Sequence, residues 1–115
     1  IYFGDGSANL SKQDRSILQA VTGAFQQMGG RVRVIGHSSM GAWTLNSLRR
    51  EAVNFKMSMK RANAVAKELI RQGIPPENME VVAEGDRYPV YAETSQAGAA
   101  HNRRTEIFID YLERS

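Results

Sequence analysis

The chain has 115 residues, of which 42% are hydrophobic and 23% are charged, a composition that suits one folded domain with its own core. It contains no cysteine, which excludes a disulfide scaffold and a thiolate metal site. Its 15 lysines and arginines against 12 acidic residues give a net charge of +3, too small a bias to indicate a nucleic-acid partner.

The opening segment predicts a short strand followed by a helix. Ile1-Tyr2-Phe3 is apolar and stops at the turn residues Gly4–Ser7. Ser11 and Asp14 have the spacing of a capping box, which marks the start of a helix. Apolar residues follow at three- and four-residue steps until the stop signal Gly29-Gly30.

A strand, a loop and a second helix are predicted next. Arg31–Ile35 alternates and is rich in β-branched residues, which favours a strand that ends at Gly36. The pattern is weak between residues 37 and 54, which we interpret as a loop with a short helix around Leu45 to Glu51. Ser58 fits the N-cap of the next main helix.

The remaining elements complete a two-layer α/β (α+β) arrangement. The helix that follows Ser58 should end at Gly73, before Pro75-Pro76. Met79–Ala83 and the strongly alternating segment Thr105–Tyr111 predict two more strands. We expect right-handed crossovers, a small mixed sheet, two main helices on one face of it and a short extra helix in an inserted loop.

One motif approaches the nucleophile elbow of serine hydrolases. Gly36-His37-Ser38-Ser39-Met40-Gly41 follows a predicted strand, but Met40 stands where that motif needs glycine after Ser38. His101 would have to act as the base. A glycine-and-serine turn after a strand is the simpler interpretation, so we do not expect an enzyme.

Metal and cofactor sites lack their signatures. His37 and His101, the two histidines, do not have the spacing of metal ligands. Gly4-Asp5-Gly6 and Gly29-Gly30 match neither the phosphate-binding loop nor the dinucleotide fingerprint. We therefore expect no metal and no cofactor.

Two arginines differ from the other basic residues. Solvated surface positions are the default for charges on a small domain. A helix that starts at Ser58 would carry Arg61 in its first turn, where the helix dipole opposes a cation but nearby N–H groups help to hold an anion. Arg104 opens the last predicted strand. A guanidinium offers a planar fork for a carboxylate, so both are candidates for anion binding.

Motifs spread over nearly the whole chain identify a family resemblance. Val34–His37, Asn54, Met57–Ala62 and Asn102-Arg103-Arg104 occur in an order and spacing that resemble the OmpA-like domain. This is the peptidoglycan-binding module of outer-membrane porins, peptidoglycan-associated lipoproteins and flagellar stator proteins. The resemblance implies one OmpA-like domain over residues 1–115, taken from a longer, membrane-anchored parent chain, with the domain itself soluble.

The resemblance also implies a function and a site. Members bind the stem peptide of peptidoglycan, usually at diaminopimelate, without catalysis, and lie in the periplasm attached to the outer membrane. By this resemblance the arginine at Arg61 pairs with a ligand carboxylate, and an aspartate after Gly-His-Thr pairs with the ammonium. The positions implied in ligand binding are Arg61, Asn54, Ser39, His37, Ser38, Arg104 and Arg103.

Two departures from the family pattern bear on that function. Ser39 occupies the aspartate position, and the loss of a charge-assisted hydrogen bond there would weaken binding by about 1–3 kcal/mol. An insertion around Trp43 to Val53 lengthens the pocket-facing loop, where Glu51 can supply the missing carboxylate or Trp43 can stack on the ligand. Alternatively, both residues only pack or solvate the loop. The departures also suit a second function, a protein-interaction domain that has lost wall binding.

Overall fold

The computed structural model of the chain describes residues 1–39, 46–86 and 102–111. Within them the chain forms two α-helices, three strands and one turn of 3₁₀-helix. In chain order these are α1 (Lys12–Met28), β1 (Arg31–Gly36), α2 (Ser47–Gln72), the 3₁₀ turn (Pro76–Asn78), β2 (Met79–Ala83) and β3 (Thr105–Asp110).

Helix α1 has the two ends that the sequence predicts. The Oγ of Ser11 accepts a hydrogen bond from the backbone N–H of Asp14 at 3.0 Å, and the Asp14 carboxylate accepts one from the N–H of Ser11 at 2.9 Å. This capping box satisfies two backbone donors that the first turn would otherwise leave without partners. Gly29 ends the helix with a φ of 66°, a conformation that glycine adopts without steric cost.

The sheet is mixed, with the strand order β2-β1-β3. β1 runs parallel to β2 and antiparallel to β3, so that Val34 lies opposite Val81 on one side and Ile107 on the other. Helix α2 provides the crossover between the two parallel strands. The predicted fold class is therefore confirmed, although the predicted opening strand is reduced to one isolated bridge between Tyr2 and Arg104.

Both helices contribute to one hydrophobic core with the central strand. The inward side chains of β1 are fully buried, as the alternation along that strand predicts. The core consists of Phe3, Leu18, Val32, Val34, Ala62, Val65, Leu69 and Ile74. Neither α-helix among the described residues combines the length and the hydropathy that a bilayer-spanning segment needs.

Helix α2 corrects two expectations. Asn46 is its N-cap, with the side-chain oxygen accepting from the N–H of Arg49 at 2.9 Å, and the helix continues through Gln72. The predicted short helix and the helix predicted to start at Ser58 are thus one helix. The first turns lack an apolar stripe because their side chains do not reach the core, and Leu48 is 78% exposed.

Gly36 sets the distance between β1 and α2. A Cβ atom at this position would lie 2.0 Å from the backbone carbonyl oxygen of Ser58 and 3.0 Å from the Cβ of Ala62. The end of the strand therefore meets the helix backbone directly, which only glycine allows. This contact brings the residues after Gly36 beside the middle of α2.

Candidate functional site

A cavity of about 160 Å³ opens where the N-terminal turn, the loop after β1 and α2 meet. Six of its nine lining residues have polar or charged side chains, and Val53 and Met57 are the apolar ones. The other lining residues are Asp5, Gly6, Ser38, Ser39, Asn54, Arg61 and Arg103. The fold therefore brings together five of the seven predicted site residues, which lie far apart in the chain.

Arg61 organises this cavity from the middle of α2, with only 1% of its surface exposed. Its Nε donates to the carbonyl of Ser7 at 2.9 Å, its Nη2 to Gly4 at 3.1 Å and its Nη1 to His37 at 3.2 Å. The guanidinium also lies 5.5 Å from the ring centroid of Phe3. One side chain thus holds the N-terminal turn and the loop after β1 in fixed positions.

The location of Arg61 corrects the prediction that it lies in the first turn of a helix. It lies far from the first turn of α2, so the N–H groups of a helix N-terminus do not assist it. Burial, and then the charge of Arg103, lower the pKa of Arg61 to about 10, while Asp5 acts in the opposite direction. Arg61 is therefore still protonated at neutral pH.

Arg61 forms no ion pair with a carboxylate of the described residues. Within residues 1–39, 46–86 and 102–111, no carboxylate lies within the 4.0 Å of an ion pair with this guanidinium. Its bonds to three carbonyls use three of five N–H groups, which leaves donors for a further acceptor. A buried cation in this state favours an anionic ligand in the adjoining cavity.

The loop after β1 supplies two serines to the cavity wall. The backbone N–H of Ser38 donates to the carbonyl of Gly85 at 2.8 Å, and its hydroxyl donates to the carbonyl of Asn54 at 3.1 Å. The amide of Asn54 in turn donates to the carboxylate of Asp86 at 3.3 Å. Ser39, 8% exposed, lines the cavity beside them. These bonds fix the part of the cavity wall that the loop after β1 and α2 provide.

Ser38 does not show the arrangement of a nucleophile. Its hydroxyl proton is directed to a backbone carbonyl, which positions the loop. His37, its neighbour, directs its imidazole to Glu106 instead. His101, the base that a hydrolase would require, lies outside the described residues.

Arg103 adds a second cation to the cavity. Its Nε donates to the carbonyl of Phe3 at 3.1 Å, so it too binds the N-terminal segment. It is only half-buried, whereas Arg61 is almost completely enclosed. Two positive groups with different access to solvent therefore face the same space.

Two predicted site residues do not line the cavity. The Nε2 of His37 lies 2.5 Å from a carboxylate oxygen of Glu106, and the Nη2 of Arg104 lies 3.3 Å from the same oxygen. Burial, and then the charge of Arg104, lower the pKa of His37, against the opposing effect of Glu106. Only the backbone carbonyl of His37 takes part in the site, through its bond to Arg61.

The sequence suggests Glu51 or Trp43 as compensation for the missing aspartate, and the structure describes the surroundings of Glu51. Glu51 lines a separate cavity of about 290 Å³ together with Phe55, Glu84 and Asp86. It therefore does not share the space beside Arg61. Trp43 lies outside the described residues.

Sequence reasoning missed Asp5, the acidic residue in the lining. Asp5 lies in a turn closed by a hydrogen bond of 3.1 Å from the N–H of Ser7 to the carbonyl of Gly4. Gly6 follows with a φ of 64°, which a residue with a side chain rarely adopts. An acid between two glycines is a usual turn signal, so only the tertiary fold shows that it faces the cavity.

Comparisons with known proteins agree with this architecture. The family model of the OmpA family matches residues 2–103. The peptidoglycan-binding protein ArfA of Mycobacterium tuberculosis is 28% identical over 111 residues, which are 96% of this chain and 32% of that protein. The chain spans about a third or less of the length of the first curated relatives it matches.

Solved structures share the fold. The cell wall anchor of the type VI secretion system (T6SS) of Pseudomonas aeruginosa superposes with a TM-score of 0.79 at 29% identity, over 96% of this chain and 76% of that one. The C-terminal domain of MotB from Helicobacter pylori gives a TM-score of 0.81 at 18% identity, over 96% of this chain and 83% of that one. At 18% identity the second comparison shows the fold alone.

Proposed function

This chain belongs to the OmpA family, and we propose that it binds the stem peptide of peptidoglycan at the Arg61 cavity without catalysis. Diaminopimelate is the expected contact, because it carries a free carboxylate on its side chain. By holding the cell wall, the domain anchors the outer membrane or an envelope complex to it.

One observation carries the proposal. Arg61 is 1% exposed, keeps its charge and has no ion-pair partner among the described carboxylates, yet it borders a cavity of about 160 Å³. A carboxylate in that cavity would gain a charge-assisted hydrogen bond and would neutralise a buried cation. Arg103 adds to the attraction from the solvent side.

The relatives support the cell wall as the partner. One is named a peptidoglycan-binding protein, and one solved structure of the same fold is described as the cell wall anchor of a secretion system. Periplasmic placement and attachment to the outer membrane through a longer parent chain belong to the same proposal.

Co-sedimentation with purified sacculi tests it. We expect the wild-type protein to pellet with sacculi that contain diaminopimelate and Arg103→Ala to pellet less. Arg31→Ala is the matched control, because Arg31 is exposed and lies at the opposite end of β1 from the cavity. Failure of the wild type to pellet, or equal loss in both variants, would refute wall binding at this cavity.

A second candidate function rests on Ser39, the neutral residue in the position where the family has an acid. This second function is that of a protein-interaction domain with the same fold that does not bind the cell wall. Saturable binding of diaminopimelate-containing muropeptides that Arg103→Ala weakens would count against this alternative. Absence of such binding, together with a folded wild type, would favour it.

A further inference from the structure

The ligand that we propose carries two opposite charges at its end, a carboxylate and an ammonium group. The cavity has clear partners for the carboxylate in Arg61 and Arg103. Ser39 can accept a hydrogen bond from an ammonium but cannot neutralise it. Glu51, the replacement that the sequence suggests, lines a different cavity. The positive end of the ligand therefore needs another anion.

Among the described residues that line the Arg61 cavity, Asp5 is the acidic side chain. It is exposed, so its carboxylate is hydrated, and no ion pair with the described residues has to break before it contacts a ligand. It lies on the N-terminal turn, whereas Ser39 lies on the loop after β1. The cavity therefore has its acid on the other wall from the one where the family pattern has it.

The turn that carries Asp5 is held in place by the cation itself. Arg61 donates to the carbonyls of Gly4 and Ser7, which flank Asp5 on both sides. A hydrogen bond between Ser7 and Gly4 closes the same turn. The backbone that carries Asp5 is thus fixed relative to the guanidinium, so ligand binding does not have to order this turn.

We propose that Asp5 receives the ammonium group of the ligand and takes over the function of the carboxylate that Ser39 lacks. This inference rests on the proposed function, since it assigns the second charge of the same ligand. Asp5 is then the residue that distinguishes a zwitterionic amino-acid end from a simple carboxylate.

The chemistry limits the size of the effect. Asp5 is exposed, so water screens its attraction for a cation, and we expect a contribution of roughly threefold to tenfold in affinity. The contribution should decrease as ionic strength rises, because exposed charges are screened by salt. A dianion without an ammonium should gain nothing from Asp5, since like charges repel.

Titration with two probes tests this assignment. Meso-diaminopimelate has carboxylates and ammonium groups, and pimelate has the carboxylates alone. Affinities for both would be measured by NMR titration for the wild type, Asp5→Asn and the double variant Asp5→Asn with Ser39→Asp. Glu80→Gln is the control, because it removes an exposed acid outside the cavity.

We expect Asp5→Asn to bind diaminopimelate roughly threefold to tenfold more weakly and to bind pimelate equally or more tightly. The double variant should recover the preference for diaminopimelate, since an acid returns to the cavity lining on the loop after β1. Equal weakening toward both probes, or no change toward either, would overturn the assignment.

The two proposals fail in different ways. If sacculi retain the wild type but it does not prefer diaminopimelate over pimelate, wall binding stands and the Asp5 assignment is overturned. If the preference depends on Asp5 while sacculi do not retain the protein, the assignment stands and wall binding fails.

Discussion

Replacement of Gly36 by alanine tests whether the strand and the helix meet backbone to backbone. The added Cβ would lie 2.0 Å from the carbonyl oxygen of Ser58 and 2.9 Å from its carbonyl carbon. Backbone atoms cannot rotate away as the end of a flexible side chain can. To remove this clash, β1 and α2 must move apart by at least about 1 Å, which disturbs the packed core between them.

The cost follows from that movement. Overpacking of a core by one methyl group usually costs about 1–3 kcal/mol, and a clash with backbone belongs at the upper end. We expect Gly36→Ala to lower the free energy of unfolding by about 3 kcal/mol, which corresponds to a decrease in Tm on the order of 10 °C. Urea denaturation followed by circular dichroism measures it.

Gly23→Ala is the matched control, because it adds the same methyl group elsewhere. Gly23 lies within α1, and a Cβ there meets no atom within 4 Å. Alanine is the better helix former, so this variant should gain about 0.5–1 kcal/mol. If Gly36→Ala unfolds at the same urea concentration as the wild type, the close approach at Ser58 is refuted.

Three further predictions concern ionisable side chains. Arg61→Met should lower the free energy of unfolding by about 3 kcal/mol, because three carbonyls lose a charged donor; a melting temperature equal to that of the wild type would contradict this. Burial, and then the charge of Arg104, lower the pKa of His37, so the unfolded chain binds a proton more readily than the folded one. The free energy of unfolding should therefore fall as pH decreases below about 6.5. His37→Gln should flatten this pH dependence of Tm, and an unchanged profile would exclude His37 as its source. A hydrogen bond from Arg71 lowers the pKa of Glu68 to about 2, so the free energy of unfolding should decrease as pH falls from about 4.5 toward 2. Glu68→Gln should lose less stability over this pH range in acid denaturation. A loss equal to that of the wild type would show that the ion pair between Glu68 and Arg71 does not stabilise the fold.

Local signals in the sequence are sufficient for much of the fold. The capping box of Ser11 and Asp14 and the glycines at 29 and 73 define helix ends through contacts within a few residues, and the structure confirms them. β2 has the predicted bounds Met79–Ala83, because alternation along a strand is also a local pattern. β3 ends one residue before the predicted Tyr111.

Two misses have a common physical cause, since both depend on what a residue contacts in the tertiary fold. Ser58 looks like a cap, but its buried hydroxyl donates to the carbonyl of Phe55 and accepts from the N–H of Gly85 inside a continuous helix. Asp5 looks like part of an ordinary turn, but Arg61, more than fifty positions away, fixes that turn beside the cavity. Neither contact can be predicted from the pattern of neighbouring residues in the sequence.

The three hydrogen bonds of Arg61 all end on main-chain oxygens, and this has a consequence for how the family can vary. Every amino acid carries the same carbonyl, so substitutions at Gly4, Ser7 or His37 leave the acceptors in place. The positions of the backbone segments around Arg61 therefore depend little on which side chains these residues carry. Side chains on the walls can therefore be exchanged while the hydrogen bonds that hold the N-terminal turn and the loop after β1 around Arg61 stay in place.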